Sequence, residues 1–379
     1  MALSPSRPKT WKRSGHGHSR YWKTFSRTHG CFVHHVTVDL AVASGVFLAS
    51  AVAVIYFGSR LAIYGDALAS LTGMGRLFVG SILLALATSL PELSTNISAV
   101  RLDPPNPALA IGDVLGSNMF NMLIFSVVAL FFGGKRFLQQ VAPEQGYLIV
   151  LAAVMTGAAV LFGAMKLEVS LWQVGLPSVI LIAVYVVGMR VVYVTRPTSG
   201  TEPEDGDAPG MTLGRAWTMF GLVSLGVIAA GFSLAWSSDQ VAEITGVASS
   251  TLGILAVSLV TSMPEVSTTI SAARMGAADL GVAGLFGSCV FNVTILTFAD
   301  IFYREDILVN QTEPAHLVAG GVALGLILLA LALVLGRNRL REMAASTGLV
   351  LMALIWIAGA ALVGVLGAAE ETGEDAMVN

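Results

Sequence analysis

Two glutamates in this sequence stand where a carboxylate is hardest to keep. Glu92 lies near the middle of an apolar stretch, and Glu265 does the same far along the chain. A carboxylate at bilayer depth costs roughly 2.5–3.5 kcal/mol. Neither stretch holds a Lys or Arg to pair with it, so a bound cation is the economical partner. The neighbours are oxygen donors at helical spacing. Thr88 and Ser89 sit four and three residues before Glu92, on its helical face, and Thr261 and Ser262 stand likewise to Glu265. Pro91 and Pro264 have no N–H for the carbonyls of Ala87 and Val260, so each helix kinks and frees a carbonyl. At membrane depth such carbonyls are tolerated where they line a cavity or meet an ion. Further along, Ser117 and Asn121 are four apart, as are Ser288 and Asn292.

Every donor in this set is a hard oxygen, which suits Na⁺ and Ca²⁺ and suits zinc or copper poorly. Five of the six histidines precede residue 36, and His316 opens a later apolar stretch, so none is placed to join. Two glutamates balance one Ca²⁺ or two Na⁺. One set of oxygens that takes either load by turns meets the physical requirement of an exchanger, because a ligand shifts conformations only through unequal affinity for them.

The elements that must position these groups are membrane helices. The chain has 379 residues, is 55% hydrophobic and only 12% charged, with a mean hydropathy of +0.77. A soluble domain carries about 25% charged residues, so the polar surface it would need is missing. A net charge of −3 gives no reason to expect a nucleic-acid partner. Cys31 and Cys289 lie in different contexts and do not make a disulfide framework. No signal peptide is expected, because no apolar run precedes Val38. Ten spans of bilayer length are expected, with cores near 38–58, 77–99, 108–132, 146–164, 171–194, 214–236, 248–272, 280–302, 315–336 and 346–368. The Pro-, Gly- and acid-rich stretch Thr195–Thr212 divides them five and five. The expected organisation is a basic tail (1–37), a five-helix unit (38–194), a polar linker (195–213), a second five-helix unit (214–368) and an acidic tail (369–379).

The two units repeat each other. Gly58–Arg101 aligns without gaps to Gly231–Arg274, with 19 identities in 44 pairs. The peak is TSLPELSTNISAVR (88–101) against TSMPEVSTTISAAR (261–274), and GSNMFN (116–121) answers GSCVFN (287–292). Chance similarity between apolar helices comes through Leu, Ala and Val, not through Thr, Ser, Pro, Glu and Arg. Because five spans is an odd number, the copies enter the membrane from opposite sides, which makes an inverted-topology repeat. The fold class expected is therefore all-α integral membrane, with ten transmembrane helices in two inverted repeats of five. With the first residue outside, eleven Lys and Arg fall in inner loops and three in outer ones. The seven basic residues of Arg7–Arg27 oppose that bias. The expectation that reconciles them is that residues 1–35 are not native, with translation starting near Val36 or Val38.

The paired TSLPE and TSMPE segments, each followed by a Gly-Ser-x-x-Phe-Asn segment, resemble the alpha repeats of the sodium/calcium exchanger family within the cation/calcium antiporter superfamily. The resemblance covers about Val38 to Gly367. It implies that Glu92 and Glu265 are central ligands shared by Ca²⁺ and Na⁺, flanked by Thr88, Ser89, Thr261 and Ser262. Ser117, Asn121, Ser288 and Asn292 would complete the sites. It further implies alternating access, with spans one and six sliding against the other eight. There are departures. Ala87 and Val260 stand where the family usually has Gly, and Cys289 replaces an Asn after Ser288. Asn121 and Asn292 are both amides where many relatives carry one Asp, which argues against potassium co-transport.

The function expected is Ca²⁺/Na⁺ antiport in a cell membrane. The transported ions are substrates, the lipid bilayer is the surroundings, and neither a cofactor nor an obligate protein partner is expected. Proton/Ca²⁺ antiport on the same scaffold is the nearest rival, and a passive cation channel is a rival of another class. A membrane hydrolase would need a set such as H-E-x-x-H, which the sequence lacks. Asp66 and Asp239 read as solvated helix-end residues, Arg101 and Arg274 as interfacial anchors, and Cys289 as a small buried apolar residue.

Overall fold

A computed structural model describes residues 29–71, 87–172, 174–195 and 211–378. The chain runs α1 (His29–Leu71), α2 (Leu90–Ala99), α3 (Pro107–Phe131), α4 (Lys135–Gln140) and α5 (Gln145–Met165). A two-stranded hairpin follows, β1 (Ser170–Leu171) antiparallel to β2 (Val174–Gly175), leading into α6 (Leu176–Val194). The second part contains α7 (Leu213–Thr245), α8 (Ser249–Leu252), α9 (Ser258–Thr261), α10 (Met263–Arg274), α11 (Ala278–Phe302), α12 (Pro314–Gly336) and α13 (Glu342–Val378).

Local chemistry sets the helix ends. Asn106 caps α3 by accepting from the Leu109 amide at 2.9 Å, and Pro107 opens the first turn. Thr212 does the same for α7 toward Arg215, and that helix stops at Gly246 in the left-handed region, φ 75°. At the start of α12, Glu313 and His316 cap each other's backbone. His316 also meets the Ala108 carbonyl at 2.9 Å, so this buried imidazole ties α12 to α3.

Among the described residues eight helices are long and apolar enough to cross a membrane, or nine when the bent pair spanning Ser249–Arg274 counts as one. The stretch expected as the second span, 77–99, is described only from residue 87, and 77–86 lies outside the described residues, as does 196–210 of the polar segment. Two expected spans take a different form. The stretch 248–272 is not straight: it bends by 44° after Thr261. The stretch expected from 171 begins as the hairpin, because the helix cannot start before Gly175 and Pro177.

The core sits around α3 and α11, each 25 residues long and mostly buried. Phe125 of α3 meets Phe286 of α11 edge-on, with ring centroids 5.7 Å apart. The outer helices α6, α7 and α13 expose Val186, Val187, Leu222, Leu225, Leu354 and Ile357, a surface matched to lipid.

Two sets of glycines let backbones touch where the motifs meet. A Cβ on Gly112 would come within 2.8 Å of the Ser250 carbonyl, and one on Gly116 would strike the Ile254 carbonyl. Helix α3 therefore lies directly on the segment before Thr261, which includes a wide turn at Gly253–Val257. The long helices α1 and α7 pack chiefly on each other, and each presses a glycine onto the opposite half. A Cβ on Gly58 would strike the Pro264 ring at 2.5 Å, and one on Gly231 would strike the Ser94 hydroxyl.

Candidate cation site

Both glutamates follow the same backbone break. Ser89 has φ −90° and ψ 7°, and Ser262 has φ −85° and ψ 9°, each just before a helix with proline in its first turn. The break follows from the proline: Pro91 and Pro264 can neither donate to a carbonyl four residues back nor fit its oxygen. The next helix therefore starts afresh, and its first turn carries Glu92 or Glu265. Both side chains are buried, Glu92 at 0% and Glu265 at 2% exposure.

The halves are cross-wired. The Ser262 hydroxyl donates to Glu92 Oε1 at 3.2 Å, and the Thr88 hydroxyl faces the Glu265 carboxylate. Ser288 of α11 donates to Glu265 Oε1 at 3.1 Å. The two carboxylates lie close enough to repel each other, and no Lys, Arg or His among the described residues offsets them.

The second oxygen of each glutamate, Oε2, has no hydrogen-bond partner among the described residues. The same holds for the Ser89 and Ser117 hydroxyls and for the side-chain carbonyl oxygens of Asn121 and Asn292. Buried polar atoms are nearly always satisfied, and this many orphaned oxygens around two carboxylates make a donor set that fits a cation. The amides explain how the oxygens are held. Asn121 points its nitrogen at Cys289 Sγ, 3.8 Å away, and Asn292 donates to Asn118 Oδ1 at 3.2 Å. Asn118 in turn donates to Thr156 and to the Cys289 carbonyl, both at 3.1 Å. The nitrogens are spent on scaffold between α3 and α11, which leaves the oxygens free.

Of the residues singled out in the sequence, Glu92, Glu265, Thr88, Ser262 and Ser288 meet directly. Ser89, Ser117, Asn121 and Asn292 are buried nearby with unpartnered oxygens, and Ala87 and Val260 are buried on the breaks. Thr261 joins through another residue, Asp113 of α3, whose Oδ1 accepts its hydroxyl at 2.9 Å.

Asp113 is absent from the set drawn from the sequence, although the signal was there. It is a carboxylate inside an apolar span, four residues before Ser117 and so on the same helical face. It is 0% exposed, its Oδ2 accepts from Asn96 Nδ2 at 2.6 Å, and it faces both glutamates. The buried carboxylates that face one another here therefore number three. Among the described residues no three Asp, Glu, His or Cys side chains converge tightly enough to hold a metal ion by themselves. A bound cation would rely on hydroxyl, amide and backbone oxygens as well.

Asp239 also differs from its expected role as a solvated end residue. It is half-buried and accepts from Asn106 Nδ2 at 2.7 Å, while the same nitrogen donates to Ser249 at 2.9 Å. The cap of α3 reaches across to fasten α7. The Asp66 side chain lies outside the described residues. Cys289 is fully buried, as expected, and Arg101 and Arg274 are exposed.

The profile of sodium/calcium exchanger proteins matches this chain twice, over residues 42–194 and 215–366. The inner membrane protein YrbG of Escherichia coli K12 is 24% identical over 262 residues, covering 68% of this chain and 78% of that one. Two solved structures share the fold. The H⁺/Ca²⁺ exchanger CAX superposes with a TM-score of 0.64 at 15% identity, covering 89% of this chain and 90% of that one. The sodium-calcium exchanger NCX_Mj superposes with a TM-score of 0.54 at 17% identity, covering 85% and 98%.

Proposed function

The chain belongs to the sodium/calcium exchanger protein family and is a multi-pass integral membrane protein, and on that premise we propose that it exchanges Ca²⁺ for Na⁺ by alternating access. The observation that carries the reading is the cross-wiring of Glu92 and Glu265, each touched by a hydroxyl from the opposite half and each with an orphaned second oxygen. A site shared between halves changes its access when the halves move relative to each other. We assign the protein no cofactor, because the ions are cargo.

In this scheme Glu92 and Glu265 are the central ligands. Thr88, Ser89, Thr261, Ser262, Ser117, Ser288, Asn121 and Asn292 supply neutral oxygens, and Ala87 and Val260 supply backbone carbonyls. The architecture proposed is ten spans in two inverted repeats of five, 38–194 and 214–368, joined by a polar linker and flanked by two tails. The twofold profile match, broken near the polar segment, supports that division. The paired helices α1 and α7 are the proposed moving element, with Gly58 sliding over Pro264 and Gly231 over Ser94.

Sodium is the proposed counter-ion because of the neutral donors. A proton carrier needs only carboxylates, whereas Na⁺ must replace a full shell of water oxygens. The orphaned hydroxyl and amide oxygens supply such a shell. A similar fold in an H⁺/Ca²⁺ exchanger keeps proton exchange as the rival. Purified protein in liposomes decides between them: an outward Na⁺ gradient at fixed pH should drive ⁴⁵Ca²⁺ uptake. Uptake driven by a pH gradient alone would assign the counter-ion to H⁺, and flux that continues with no counter-ion at all would make the protein a channel.

A further inference from the structure

Away from the two glutamates the chain builds a second polar cavity, where α5 and α11 end. Asp300, fully buried near the end of α11, accepts from the Leu308 amide at 2.7 Å and from the Gly175 amide at 2.8 Å. These bonds fasten the short turn Leu308–Gln311 and the β1–β2 hairpin to α11. Asn310 of that turn donates to the Leu167 carbonyl at 3.0 Å, which ties it to the exit of α5. Between these elements lies a cleft of about 770 Å³, whose polar lining includes Lys166, Glu168, Arg304, Glu305, Asp306 and Asn310.

The cleft holds charges of both signs, and most are unpaired. Asp306 is spent on scaffold, one oxygen accepting from the Ile307 amide and the other from Gln311. Among the described residues, Lys166, Arg304, Glu168 and Glu305 make no ion pair with one another or with any other side chain. Asn310 is only 8% exposed, and its Oδ1 has no hydrogen-bond partner among the described residues. A buried acceptor of this kind calls for an N–H or O–H donor. Two cations suit a phosphate group, while two free carboxylates and an amide oxygen suit a primary ammonium. A metal ion fits less well. Among the described residues no three acidic side chains converge on one point, and two cations stand in the same cleft.

The flanks of the cleft point to the source of such a ligand. Trp172, at the hairpin tip, is 97% exposed, and Val169 and Leu171, next in the chain to the lining residues Glu168 and Ser170, are exposed too. An indole and exposed aliphatic side chains beside charged groups mark the depth where a membrane protein meets lipid headgroups.

We infer that this cleft binds the headgroup of one phospholipid bearing both a phosphate and a primary ammonium. Lys166 and Arg304 take the phosphate, and Glu168, Glu305 and Asn310 take the ammonium. A quaternary ammonium has no N–H to give Asn310, and a headgroup with no amine leaves the carboxylates unmatched. The bound lipid bridges the exit of α5 and the end of α11, and its binding is independent of which ions the protein exchanges.

Native mass spectrometry of the delipidated full-length protein in detergent tests it, with phosphatidylethanolamine, phosphatidylcholine or phosphatidylglycerol added in turn. One phosphatidylethanolamine per chain should be retained at concentrations where the other two are lost. Equal retention of all three would overturn the inference. Arg304→Gln and Glu305→Gln alter exposed side chains, so the fold is not at stake. Each should weaken phosphatidylethanolamine by about tenfold, the equivalent of one charge-assisted hydrogen bond. Unchanged retention in both would place the lipid elsewhere and overturn the inference. Free phosphoethanolamine supplies the same charges without acyl chains. It should leave the melting temperature unmoved where the lipid raises it, and an equal rise would give the cleft a soluble ligand and overturn the lipid assignment.

Discussion

The motif region around Glu92 and the one around Glu265 have nearly the same backbone and different wiring. Ser89 and Ser262 break the helix at almost equal angles, a proline follows each, and a buried glutamate sits in the new first turn. Beyond that turn they part. Asn96 and Asp113 form a buried pair in the first half, where the second has Thr269 and Gly284. Glu265 accepts from Ser288 of the neighbouring α11, whereas Ser117, at the matching place on α3, turns its hydroxyl to Asp113. The difference separates two kinds of constraint. Backbone breaks must match if both halves are to present oxygens at one depth. Side chains one turn away are free to diverge.

The largest effect expected comes from neutralising what the halves share. Glu92→Gln or Glu265→Gln should each abolish ⁴⁵Ca²⁺ transport in liposomes while leaving a monodisperse protein. Residual wild-type flux from either would remove it from the ligand set. Next is the contact that positions the second break. Gly116→Ala puts a methyl against the Ile254 backbone, an overpacking worth about 1–3 kcal/mol. It should lower the melting temperature in detergent and slow exchange together, and an unchanged melt would show that α3 can back away. The smallest effect concerns the fastening of α7. Asn106→Ala removes the donor to Asp239 at a cost of about 1 kcal/mol. Faster hydrogen exchange at the C-terminal end of α7, with ⁴⁵Ca²⁺ affinity intact, is the readout, and uniform protection would leave the bond a passive contact.

Much of this was legible in the sequence, for reasons that differ by residue. Glu92 and Glu265 stood out because a carboxylate in an apolar run is costly and because the runs repeat. Asp113 satisfies the first condition as fully as they do. Its counterpart is Gly284, so the internal repeat does not mark it. The bend at Ser262 was written in Pro264, but not its 44° angle or the contact of α3 with Gly253 and Ile254. Asp239 looked solvated because helix periodicity says nothing of what a neighbouring loop supplies, here Asn106.

The sequence alone determined that the chain lives in lipid, that it carries two copies of one motif, and that each copy offers a carboxylate amid hydroxyls. These are properties of composition and of spacing within single helices, and 3.6 residues per turn translates spacing into faces. The tertiary structure decided which face meets which. Ser262 reaches Glu92 across 170 positions of chain and Thr261 reaches Asp113 across 148. Such pairings are set by where helices cross, and the crossings here are fixed by glycines close enough for backbones to touch.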